Sequence, residues 1–170
     1  MNAPGKLSAA ITVVLLLTLA VPLGDAGAQS AKSLVGTWSL VSSDSIDGSG
    51  TKSPVFGPNP RGLLILTSDG SYSLWVGAAS LPKFASNNRA KGTAEENQAV
   101  VAGSIAHFGS YTVDEKDTSL NFNVKTSTFA NWDGTIQKRV FTVSSDELKY
   151  TNPAGSAGGG RVDLVWKRVK

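Results

Sequence analysis

From residue 107 to the C-terminus the chain is a succession of short segments with a two-residue hydrophobic period, and that pattern points to antiparallel β-structure. The alternation is clearest where Leu120, Phe122 and Val124 stand against Asn121, Asn123 and Lys125, as in a strand with one apolar and one polar face. Strands are read at 107–114, 118–127, 135–144, 147–152 and 161–168. Turn-forming stretches separate them: Asp114-Glu115-Lys116-Asp117, Asn131-Trp132-Asp133-Gly134, Ser145-Asp146 and a glycine-rich loop around 155–160.

The N-terminal half extends the pattern. Residues 34–43, Leu-Val-Gly-Thr-Trp-Ser-Leu-Val-Ser-Ser, read as the first strand. Residues 61–67 and 71–77 form two more, joined by Thr67-Ser68-Asp69-Gly70, whose Asp-Gly pair favours a tight hairpin. Eight strands with local connections predict an all-β fold, an eight-stranded antiparallel up-and-down barrel just wide enough for one small ligand. Strand spacing alone leaves a two-sheet sandwich as the alternative.

Two long irregular stretches interrupt the meander. Residues 44–60 hold Gly48, Gly50, Pro54, Gly57, Pro58 and Pro60 and read as a loop arching over an open barrel end, with Val55 and Phe56 able to close it. Residues 78–91 read as a second flap, with Leu81 and Phe84 as its bulky apolar residues. Next comes one short helix, expected at 93–106, because Thr93 and Glu96 have capping-box spacing. Ala99, Val100, Gly103 and Ala106 give it a narrow face of small residues to lay against a barrel wall.

Four segments carry a resemblance: Leu34-Val-Gly-Thr-Trp38 onward to Val41; 57–69 with Pro-x-Pro-Arg-Gly-Leu-Leu; 92–114 with Gly-Thr-x-Glu-Glu-Asn and His-Phe-Gly-x-Tyr-x-Val-Asp; and 131–141 with Asn-Trp-x-Gly-x-x-x-Lys-Arg-x-Phe. In this order they resemble the bacterial and fungal lipocalin-like domain family, a set of small calycin-like barrels. The resemblance implies a lipocalin-type barrel that opens on Gly36-Thr37-Trp38, with Lys167 or Arg168 of the last strand packed over Trp38. Where such domains often place histidines this chain has Phe122 and Asn123, and Ala130 stands where a proline before Asn-Trp is common.

At the N-terminus, Lys6, an apolar run over 9–21 and Ala26-Gly27-Ala28 form the pattern of a secretory signal. The expectation is a signal peptide at 1–28, a barrel domain at 29–170, and a secreted or periplasmic location without a stable membrane anchor after cleavage. The net charge of +3 is spread thinly, without the basic, aromatic-laced face a nucleic acid requires. One histidine and no cysteine exclude the usual thiolate and imidazole zinc sites. No phosphate-cradling loop and no nucleophile elbow occur, so neither a metal nor another cofactor is expected.

The preferred reading is a carrier or sensor for a small apolar or amphipathic molecule. Candidate ligand-binding residues are Tyr72, Trp75, Asn97, His107, Tyr111, Phe122, Asn131, Trp132 and Arg139, with Phe108 and Phe141 as further wall aromatics. An enzyme of isomerase or cyclase type, using His107 and Glu96 as acid and base, is the alternative. Arg139 and Lys138 face opposite sides of a strand. An inward arginine requires a carboxylate or an anionic ligand, and pairing with Glu96 is the favoured expectation.

Overall fold

The computed structural model describes residues 31–158 and 160–170. The signal-peptide reading at 1–28 lies outside the described residues.

The chain forms a one-turn helix α1 (Ala31–Leu34), strands β1 (Gly36–Ile46), β2 (Lys52–Pro54), β3 (Arg61–Leu66) and β4 (Ser71–Gly77), and helix α2 (Ala94–Gly103). Strands β5 (Ser104–Asp114), β6 (Ser119–Ser127), β7 (Ile136–Val143), β8 (Glu147–Asn152) and β9 (Arg161–Arg168) follow. Each strand from β3 onward pairs antiparallel with the next, and β1 pairs with both β3 and β9. The sheet therefore closes into an eight-stranded barrel, which excludes the sandwich, and β2 lies outside the ring as a short partner of the end of β1.

That extra strand corrects the expected loop at 44–60. The Asp47 carboxylate accepts from the Ser49 and Thr51 amides, which satisfies the turn from within and lets Asp44–Ile46 pair with Lys52–Pro54. Val55 and Phe56 then pack against the core from the open end. The helix is shorter than expected. It keeps the capping box, with Thr93 accepting from the Glu96 amide and Glu96 from the Thr93 amide. It stops at Gly103 because Ser104, Ile105 and Ala106 pair with Gly77, Val76 and Trp75 in the β4–β5 ladder. Its small-residue face is not buried: α2 has no buried side chain.

Packing divides the barrel into two halves. At one end Leu34, Trp38, Leu66, Leu120, Leu148 and Trp166 are completely or almost completely buried. Such large apolar side chains each contribute on the order of 2–3 kcal/mol on burial. The Trp38 indole donates to the Leu34 carbonyl at 2.9 Å, fixing α1 as a plug. The Arg168 guanidinium lies 4.0 Å from the centre of the Trp38 ring and donates to the carbonyls of Val35, Ser33 and Ser145. This end is solid, and the other end is hollow.

Two irregularities set which residues face that hollow. Between Leu40 and Ser42 the β1–β9 register slips around Val41, and such a bulge reverses the inward phase of everything after it. Leu40 points inward before it, and Ser43 and Ser45 line the interior after it. A second slip between β5 and β6 skips Lys125. There a Cβ on Gly109 would lie only 2.0 Å from the Asn123 carbonyl oxygen, so the close approach requires glycine.

Candidate functional site: a half-open barrel cavity

The hollow half encloses a cavity of about 670 Å³. Its wall is mainly apolar, with Leu74, Val76, Ile105, Phe122, Val162 and Leu164 projecting from four strands. Val55 and Phe56 from the β2–β3 connection, Val100, Val101 and Ala102 of α2, and the 155–158 loop surround the mouth. Serine hydroxyls, Asn152, Tyr150, His107 and Arg139 add the polar groups. A largely apolar chamber with a few placed polar groups is the usual form of a small-molecule site.

His107 is buried on β5, within the inward series Ile105, His107, Gly109, Tyr111. Its Nδ1 shares a hydrogen bond of 2.9 Å with the Tyr72 hydroxyl. Its ring meets Tyr72, Phe122 and Trp132 edge-on. Burial, and secondarily the Arg139 charge, push its pKa down to about 4. The imidazole is therefore neutral at pH 7.

Arg139 is also buried, projecting inward from β7 with Gln137 and Phe141 as its inward neighbours two residues away. It donates to the Lys138 carbonyl at 2.9 Å and to the Gln137 side-chain oxygen. Burial lowers its pKa, partly offset by the neighbouring Tyr150 and Tyr72. Burial likewise raises the pKa of both tyrosines well above their ordinary value, so both stay protonated.

The expected pairing of Arg139 with Glu96 is not made. Glu96 lies at the start of α2, where its carboxylate accepts from the Ala85 amide at 2.8 Å and the Thr93 amide at 2.8 Å. These bonds hold its pKa below the usual carboxylate range. Its capping geometry prevails over any inward reach, and it does not line the cavity. His107 and Glu96 therefore do not share one chamber.

Of the nine expected ligand-binding residues, the structure brings His107, Phe122, Trp132 and Arg139 together on the cavity wall. Tyr72 supports His107 from the adjoining strand. Tyr111 belongs to the solid end, where its hydroxyl donates to the Thr67 carbonyl at 2.8 Å. Trp75 occupies the outward phase of β4. Asn97 and Asn131 are exposed, and Asn97 donates to the Gly92 carbonyl within the α2 cap region. Phe108 points outward and is exposed, and Phe141 is part of the solid core. The 78–91 segment is no mouth flap: Leu81 packs at Gly103 and Phe84 at Gly92, on the two ends of α2.

Sequence reasoning missed Ser43 and Ser45, whose inward phase depends on the Val41 bulge. It also missed Tyr150, although the alternation of Leu148, Tyr150 and Asn152 in β8 is regular and carries the signal. The α2 contribution was invisible because it depends on where the helix crosses the mouth.

No curated protein matches the chain. A family model, described as a lipocalin-like domain, matches residues 35–169, from just before β1 to just past β9, and thus takes in every strand of the closed barrel and both halves of its interior. The chain belongs to the lipocalin-like domain family.

Proposed function

We propose that the protein is a binding protein that holds one small, predominantly apolar molecule in the hollow half of its barrel. The observation that carries this reading is the cavity of about 670 Å³, walled mainly by aliphatic and aromatic side chains and opening between α2 and the β2–β3 connection. A solid barrel has nothing to offer such a ligand; here only one end is solid. In this reading the protein acts after export, in the periplasm or outside the cell, as the pattern at 1–28 suggests.

The acid–base alternative lacks its second group, because Glu96 caps α2 outside the chamber. Trp132 lines the cavity beside His107, so a ligand that enters will alter tryptophan emission. Native mass spectrometry of the purified protein, combined with tryptophan quenching against a panel of lipids and aromatic compounds, tests the proposal. A saturable one-to-one complex supports it. A bare mass throughout, with no quenching by any member of the panel, contradicts it.

A further inference from the structure

Among the described residues the cavity wall has one charge and no counter-charge. Arg139 is the only charged residue among the described residues lining it, and no aspartate or glutamate lines it with Arg139. The ion pairs formed by the described residues join Lys138 to Asp117, Lys149 to Glu147, Arg161 to Asp163 and Lys170 to Asp146, all with solvent-accessible side chains. The contrast within β7 is direct: Lys138 points outward and finds Asp117, while Arg139 points inward and finds no carboxylate among the described residues.

Arg139 is only 5% exposed, so water does little to stabilise its charge. Two neutral acceptors, the Lys138 carbonyl and the Gln137 side chain, hold part of the guanidinium. A guanidinium presents a planar fork of N–H donors, and those beyond these two bonds have no acceptor among the described residues. A buried, incompletely paired cation is costly unless an anion joins it. The groups closest to it electrically do not supply one. Tyr72 and Tyr150 are held protonated by burial, and His107 is neutral at pH 7.

From this arrangement we infer that the ligand is an amphiphile with one oxyanion head group, a carboxylate or its equivalent, which seats against Arg139 while the apolar body fills the chamber toward the mouth. This inference rests on the binding function proposed above and specifies its ligand class. The fork of Arg139 matches the two oxygens of a carboxylate. Leu74, Val76, Ile105 and Phe122 supply the apolar wall for the tail. Tyr150 also lines the chamber and interacts electrostatically with Arg139.

The test uses dodecanoate, dodecanol and inorganic phosphate as probes, with the full-length protein and its Arg139→Met variant, followed by calorimetry or tryptophan quenching at pH 7. The inference expects dodecanoate to bind about tenfold or more tighter than dodecanol, inorganic phosphate to bind far more weakly than either, and Arg139→Met to abolish the preference for the acid. Equal binding of acid and alcohol, or a preference that survives in the variant, overturns the inference and leaves the apolar carrier standing. Phosphate binding as tightly as dodecanoate overturns it too, since the site would then be one for a free anion. Binding of no probe and of no member of the wider panel removes the carrier reading and the inference with it.

Should Arg139→Met fail to fold, the wild-type protein still decides. Seating an anion beside Arg139 cancels part of the field that depresses His107. The His107 imidazole, followed by NMR, is then expected to titrate at higher pH with dodecanoate bound than with dodecanol bound. Identical titrations with the two probes overturn the inference.

Discussion

The Tyr72 hydroxyl and His107 Nδ1 meet at 2.9 Å on neighbouring strands β4 and β5, where the solid half of the barrel gives way to the hollow half. Tyr72 is packed under Phe122, with ring centres 4.5 Å apart, and His107 continues the same aromatic contact toward Trp132 at 5.7 Å. A buried polar pair is thus enclosed by aromatic rings and supports the cavity floor from below.

The state of His107 makes stability depend on pH. Its folded pKa of about 4 lies below the ordinary 6.5, so between those values the unfolded chain binds the proton and the folded chain does not. The sign is therefore fixed: its contribution is complete above pH 6.5 and declines as the pH falls toward 4, by about 3 kcal/mol in all. Thermal unfolding followed across this window is expected to show the midpoint falling, and a His107→Gln variant is expected to lose that component of the slope. Identical slopes in the two proteins would contradict the burial of an uncharged imidazole.

Arg168 and Trp38 form the latch of the solid end. The guanidinium stacks at 4.0 Å over the indole and bonds three carbonyls, two of them in the segment leading into β1. Arg168→Ala is expected to cost about 2–4 kcal/mol of stability. Ligand binding at the far end should change little. Chemical denaturation measures the first quantity and titration of a bound probe the second; a stable variant with lost binding would reverse the assignment.

Glu96 makes the opposite contrast. Its bonds to the Thr93 and Ala85 amides tie α2 to the 78–91 segment. Glu96→Ala is expected to speed amide exchange at Ala85 and in the first turn of α2, while ligand affinity stays within about twofold. Loss of affinity for dodecanoate on the scale expected for Arg139→Met would restore Glu96 to the site.

Gly109 tests the second register slip. A methyl group there meets the Asn123 carbonyl oxygen at 2.0 Å and the Lys125 amide nitrogen at 2.8 Å, with backbone on both sides and no flexible side chain to yield. Gly109→Ala is expected to destabilise the barrel by about 2 kcal/mol or more, measurable by denaturant titration. An unchanged midpoint would mean that β5 and β6 do not approach as described.

Much of this architecture was legible in the residues. The alternation of Leu120, Phe122 and Val124 gave β6 its inward face, and Asp69-Gly70 marked the β3–β4 turn, because period and turn chemistry are local properties. Cavity-facing residues were legible where a strand keeps its phase, as for His107, Phe122 and Arg139. Elsewhere the signal was not local. The Val41 bulge moved Ser43 and Ser45 to the interior, and the capping geometry of Glu96 overrode its attraction to Arg139. Phe108 and Phe141 were candidates because they are aromatic, yet one is outside and the other lies in the solid end. Residue type does not say which half of a barrel it occupies.

The most direct test of the hollow half is to fill it. Val76 faces the cavity from β4, and a Val76→Trp variant places an indole in that space without touching the solid end. Titration of dodecanoate into wild-type and variant protein, with thermal unfolding of both as the check on folding, is expected to give one bound molecule for the wild type and none for a variant that still unfolds cooperatively. Unchanged affinity and stoichiometry in the folded variant would contradict a ligand site inside the barrel.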